Sequence, residues 1–108
     1  MRLKPQKRRQ GPEACLIAAC LEYLQLKRIF AWRNNSGGMK VGKRFLRFGM
    51  PGSPDIIGIV DGCFLAIETK APKGELSESQ IAWHQQAKRA GCTVHVVRSL
   101  DDLMEVVG

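Results

Sequence analysis

Asp55–Lys70 reads DIIGIVDGCFLAIETK, two apolar runs joined by Asp61-Gly62. Asp-Gly between apolar runs is a strong signal for a two-residue type I′ hairpin, because both central residues must take positive φ. A two-residue turn sets Val60 opposite Cys63, Ile57 opposite Ala66 and Asp55 opposite Glu68. One face then carries Ile56, Val60, Cys63, Leu65 and Ile67, the other Ile57, Ile59, Phe64 and Ala66. Apolar residues on both faces predict the covered centre of a sheet.

Residues directly opposed across an antiparallel pair have Cβ atoms about 4.5–5.5 Å apart, where like charges repel. Asp55 and Glu68 form such a pair at the end of an apolar ribbon. A proton on one carboxyl or a divalent cation between them relieves the conflict. Two carboxylates with positions left open for water and phosphate describe a Mg²⁺ site. Lys70 projects on the same face as Glu68, one pair along. An ammonium there suits phosphate chemistry, orienting a water and stabilising charge on phosphorus oxygens. Thr69 points to the opposite face, so only its carbonyl is expected at the site. The plain alternative is a strand start at Asp55 with surface residues at the far strand end.

Before this ribbon, a helix is expected from about Pro12 to Lys27, with Gly11 as N-cap and Pro12 at the first position. Leu16, Cys20, Tyr23, Leu24 and Lys27 follow helical spacing, and the apolar members among them make a buried stripe. Ile29–Arg33 reads as a strand, 34–42 as a flexible loop, Lys43–Phe48 as a cationic strand, and 50–54 as a proline-punctuated turn. After the ribbon, Leu76–Gly91 is expected as a helix with a Ser77/Gln80 capping box. Cys92–Val97 alternates as a strand, and Ser99 caps a last helix through Val107. The whole is an α/β protein with a mixed central sheet flanked by helices.

The 108 residues suit one domain, taken as 11–108 behind a basic flexible arm at 1–10. Charge is lopsided: the first 54 residues hold twelve Lys/Arg against Glu13 and Glu22 alone, within a net charge of +7. That asymmetry points to a polyanion, nucleic acid first. Arg33, Lys40, Lys43, Arg44 and Arg47 are the candidate backbone contacts. No run of roughly 18 apolar residues exists, which excludes a membrane-spanning helix. With no secretory signal, a cytoplasmic location is expected. Cys15, Cys20, Cys63 and Cys92 form no C-x-x-C pair and read as buried reduced thiols, not a zinc site. His84 and His95 stand apart from them and suggest no metal cluster.

Gly52-Ser53-Pro54-Asp55 followed by Glu68-Thr69-Lys70 resembles the PD-(D/E)xK nuclease core, a restriction-endonuclease-like fold. The helix bearing Glu13 and the Gln80-x-x-Trp83 stretch resemble its virus-type replication-repair nuclease branch, VRR-NUC. The resemblance spans about residues 11–98; the basic arm lies outside it. It implies that Asp55, Glu68 and the Thr69 carbonyl bind Mg²⁺, with Mn²⁺ substituting, and that Lys70 meets the attacking water. Glu13 resembles a helix-one glutamate completing the acidic pocket, although a first-turn acid also complements a helix dipole. Gln80 resembles the motif glutamine, although it also suits the capping box. Trp83 is read as core packing before a base-stacking platform.

The function expected is a metal-dependent DNA endonuclease. From the resemblance, it acts as a homodimer on branched DNA such as four-way junctions. A catalytically silent DNA-binding module of the same fold is the alternative, opposed by the intact Asp55/Glu68/Lys70 set. An RNA-binding protein is disfavoured, since aromatic residues make up only 6% of the chain and show no stacking pattern.

Overall fold

The computed structural model describes residues 11–108; the expected basic arm falls outside the described residues. The elements run α1 (Pro12–Leu26), β1 (Phe30–Arg33), β2 (Gly37–Val41), β3 (Arg44–Phe48), β4 (Ile56–Val60), β5 (Cys63–Thr69), α2 (Glu78–Arg89), β6 (Val94–Val97) and α3 (Leu100–Val107). Gly11 precedes α1 in an extended conformation with Pro12 behind it. The helix ends in a Schellman pattern: Arg28 takes the left-handed conformation (φ 58°), while its N–H and that of Ile29 return to the Gln25 and Leu24 carbonyls.

Asp61 and Gly62 both have positive φ, 50° and 80°, as a type I′ turn requires. The expected register follows: Val60 pairs with Cys63, Ile57 with Ala66 and Ile56 with Ile67. Asp55 sits one residue outside the paired segment. β4 and β5 are the two inner strands of a sheet ordered β1-β4-β5-β6. β1, β4 and β5 run antiparallel, and β6 joins β5 in parallel through α2. The sheet is mixed and helix-flanked, as expected.

Ile17, Cys20 and Leu24 of α1 and Leu103 of α3 pack on Ile56, Leu65, Ile67 and Val97 of the sheet. Cys20 and Leu24 of the expected stripe are buried and Leu16 and Tyr23 pack on the core in part, while Ile17, outside that stripe, is buried as well. Ser77 and Gln80 form the capping box that starts α2, and the Ser99 hydroxyl accepts from the Asp102 amide to start α3.

Three expectations are corrected. The loop at 34–42 contains β2, which pairs only with β3 to make a separate two-stranded arm whose residues are all exposed. Gly38 permits this, because a Cβ there would run into the Phe45 ring. The second face of the ribbon is only partly covered: Ile59 and Phe64 remain 46% and 48% exposed. Of the cysteines only Cys20 is buried, with its thiol pushed up to about 11 by burial; Cys15 and Cys63 are exposed and Cys92 is intermediate.

Candidate active site

The segment before Asp55 is held from three sides. Met50 O accepts from the Ser53 amide at 3.1 Å and from the Ser53 hydroxyl at 2.7 Å, closing the turn. Asn34, just past β1, donates its carboxamide to Ser53 Oγ (2.7 Å) and Pro54 O (2.9 Å), and its amide to Asp55 O (2.7 Å). Gly52 has φ 79°, and a Cβ on it would collide with the Ser79 carbonyl in the first turn of α2. Glycine is thus required twice, for its conformation and for the approach of α2.

Asp55 reaches across to β5. Its Oδ2 accepts from the Thr69 amide at 2.8 Å and from the Thr69 hydroxyl at 2.9 Å. The Thr69 side chain, expected to turn away, instead helps fix this carboxylate. Glu68 is fully buried. Burial first, then the neighbouring Asp55 carboxyl, pushes the Glu68 carboxyl up to about 9; Lys70 opposes the rise and Glu13 adds to it. The two acids are therefore close enough to perturb one another, and without a cation the conflict is met by a proton on Glu68.

His84 was not among the expected site residues. Its Nε2 lies 3.2 Å from Glu68 Oε1. Burial, then the Lys70 charge, lowers the His84 pKa while that of Glu68 rises. At neutral pH the contact is accordingly a hydrogen bond between neutral groups, not an ion pair. The other oxygen, Glu68 Oε2, is buried and meets no hydrogen-bond donor among the described residues. The available signal for His84 was its spacing: four residues after Gln80, it shares that residue's helix face.

Glu13 Oε1 accepts from the Ala71 amide at 3.2 Å, which brings the first turn of α1 beside the residue following Lys70. Arg98, another unexpected contributor, donates to the carbonyls of Ala71 (2.8 Å), Pro72 (3.4 Å) and Gly74 (2.7 Å) and so ties down the chain after Lys70. Gln80 does not extend toward these acids. Its Oε1 accepts from the Ser77 amide at 2.8 Å, as the capping box demands. Trp83 packs by Met50, donating its indole N–H to Sδ at 3.1 Å, and lines an apolar groove with Phe64, Ala87 and Cys92.

The candidate DNA contacts divide. Arg33 ends β1 opposite Ile56, adjacent to Asn34. Lys40, Arg44 and Arg47 lie on the arm, with Lys43 at its turn. The register sets Lys40 opposite Phe45 and Gly38 opposite Arg47, so Lys40 and Arg47 share one face, and Arg47 lies 5.8 Å from the Phe45 ring centre. The other face carries Met39, Val41, Leu46 and Phe48, with Arg44. None of these arm cations pairs with an acid among the described residues. A groove of about 520 Å³ between the arm and α2 is lined by Arg47, Phe48, Gly52 and Ser79 among others.

Among the described residues no group of three or more His, Cys, Asp or Glu is arranged to hold a metal ion. Mg²⁺ does not require one, since it takes one or two carboxylates and keeps several waters. The buried Glu68 Oε2 fits that demand: a hard oxygen, withdrawn from water, with no hydrogen-bond donor among the described residues, on a carboxyl that Asp55 perturbs. Among the described residues no helix is long and apolar enough to cross a membrane.

A mixed sheet with an aspartate before one inner strand, and a glutamate and a lysine at the end of its neighbour, defines the PD-(D/E)xK-like nuclease fold. The VRR-NUC domain family matches residues 15–101, and the chain belongs to that family. It is a nuclease-type domain. Glu13 lies just outside the matched segment. A search of curated proteins gives no significant match.

Proposed function

We propose that this protein is a Mg²⁺-dependent deoxyribonuclease that cuts phosphodiester bonds in branched DNA as a homodimer. The observation that carries the reading is the buried Glu68 carboxyl, perturbed by Asp55, with one oxygen that meets no hydrogen-bond donor among the described residues. Asp55, Glu68 and the Thr69 carbonyl would hold the ion, with Mn²⁺ able to replace it. When bound, the ion supplies Lewis-acid stabilisation of charge on the phosphate and the leaving oxygen. Lys70 meets the attacking water and steadies the charge developing on the phosphorus oxygens. Glu13 contributes negative charge at the pocket edge, and its contact with Ala71 sets the chain that follows Lys70. Gln80 acts by starting α2 where it meets Gly52.

Arg33, Lys40, Lys43, Arg44 and Arg47 grip the DNA backbone, giving affinity and placement without reading sequence. The arm cations, which pair with no acid among the described residues and lie beside a groove that borders Gly52, support this path. Dimerisation is supported by the half-covered sheet. Phe30, Trp32, Ile59 and Phe64 fall on the face that carries Glu68 and are exposed beyond what isolated surface side chains explain.

Cleavage of labelled linear, flapped and four-way DNA in Mg²⁺ tests the proposal. Wild type cuts, and prefers the branched forms; Glu68→Ala and Lys70→Ala still bind and do not cut. A wild type that binds DNA yet never cuts it in Mg²⁺ or Mn²⁺ is a binding module instead.

A further inference from the structure

We infer that His84 is a positioning residue, whose hold on Glu68 Oε1 leaves Oε2 as the oxygen that this buried carboxylate offers to a divalent cation. The inference rests on the metal-dependent reading above and assigns a role to a residue outside the E-x-K motif. Its geometric basis is the asymmetry of one carboxyl group. Oε1 lies 3.2 Å from His84 Nε2, whereas Oε2 is buried with no hydrogen-bond donor among the described residues.

A carboxylate free to rotate would present either oxygen and spread its charge over several orientations. A carboxylate with one oxygen engaged presents the other in a fixed direction, and ligands held in this way bind metals more tightly. The donor assignment follows from the chemistry. An ionised carboxylate only accepts, so with Glu68 bound to a cation the proton of the contact resides on His84 Nε2.

The scaffold behind His84 is fixed as well. Its helix is started by the Ser77/Gln80 capping box and seated by Gly52, which lies against the Ser79 carbonyl. One rigid helix thus meets both the segment carrying Asp55 and the carboxyl of Glu68. A side chain at position 84 can therefore set the distance between donor oxygens through its hold on Glu68.

Calorimetric titration with Mn²⁺ alone tests this in wild type, His84→Phe, His84→Ala and His84→Gln, with circular dichroism of the metal-free proteins alongside. The Phe variant fills the space without a donor and serves if the Ala variant does not fold. Loss of the donor weakens Mn²⁺ affinity about 10–100-fold at unchanged secondary structure, and Gln, which restores an N–H, recovers most of it. Wild-type affinity in folded His84→Phe overturns the inference, as does a Gln variant as weak as the Phe variant. A wild type that takes up no Mn²⁺ even with oligonucleotide present removes the metal reading itself, and His84 with it.

Discussion

Thr69 donates twice to one oxygen of Asp55, through its amide at 2.8 Å and its hydroxyl at 2.9 Å. These bonds join the residue ahead of β4 to the end of β5 and hold the Asp55 carboxylate beside Glu68. The amide bond survives any substitution except proline; the hydroxyl bond does not. A hydrogen bond to a charged group is worth about 1.5–3 kcal/mol. Thr69→Val should therefore lower Mn²⁺ affinity roughly tenfold in calorimetry, and Thr69→Ser should keep it. Equal affinities for Val and wild type would assign the orientation of Asp55 to the backbone alone.

The raised pKa of Glu68 makes metal-free stability depend on pH with a definite sign. The folded state holds the proton up to about pH 9, whereas an unfolded glutamate releases it near 4.5. The burial of neutral Glu68 is thus fully tolerated below pH 4.5, and stability declines as pH rises from there through 9. At pH 7 the loss is on the order of 3 kcal/mol, by about 1.4 kcal/mol per pH unit. Glu68→Gln, neutral at every pH, should melt about 10 °C above wild type at pH 7 in EDTA, with the difference shrinking toward pH 5. A difference independent of pH would show that Glu68 is ionised in the folded protein.

A cation that binds ionised Glu68 must displace its proton. Mn²⁺ binding at pH 7 should release close to one proton, seen as heats that change between buffers of different ionisation enthalpy. Affinity should rise with pH, by up to about tenfold per unit below 9, and Glu68→Gln should abolish both effects. Proton-neutral binding would mean that the ion bypasses Glu68.

The register of the central ribbon was legible because Asp61-Gly62 admits few turns, and the approach of Asp55 to Glu68 follows from that register. The arm was not legible: 34–42 has too many small and polar residues to show alternation, and β2 exists by pairing with β3, with Gly38 making room for Phe45. For His84, helical spacing gives the face it shares with Gln80 but not its partner, which lies across the β5–α2 connection. Apolar patterning on both faces of the ribbon predicts a covered sheet centre, and the structure covers one face only in part. Patterning does not say where the cover comes from, and on the Ile59/Phe64 face the described residues supply only about half of it.

Lys40 and Arg47 face the same way on the arm, clear of any acid among the described residues. Each phosphate contact contributes about 0.9 to the slope of log affinity against log salt on duplex DNA. The double variant Lys40→Ala with Arg47→Ala should flatten that slope by about 2, measured by anisotropy, while leaving Mn²⁺ binding alone. An unchanged slope would take this face of the arm out of the DNA path.

The uncovered apolar surface makes a second demand on the quaternary structure. A stable dimer buries on the order of 800 Å² from each partner. Phe30, Trp32, Ile59 and Phe64 on the sheet, with Met39, Val41, Leu46 and Phe48 on the arm, are all between 43% and 68% exposed. At roughly 100 Å² for each half-exposed side chain of this size, the four on the sheet supply about half of that area. Phe64 is the most informative among them, because it opposes Ile59 on the inner strands and adjoins the groove by Trp83. A carboxylate there is solvated in the free chain but desolvated against a second copy. Phe64→Glu should thus keep its secondary structure and shift light-scattering mass from dimer to the 12.0 kDa chain. It should also lose cutting of four-way DNA far more than it loses Mn²⁺. If wild type already runs at the single-chain mass at tens of micromolar, this surface serves some purpose other than self-association, and two cuts in one junction would need two independent encounters.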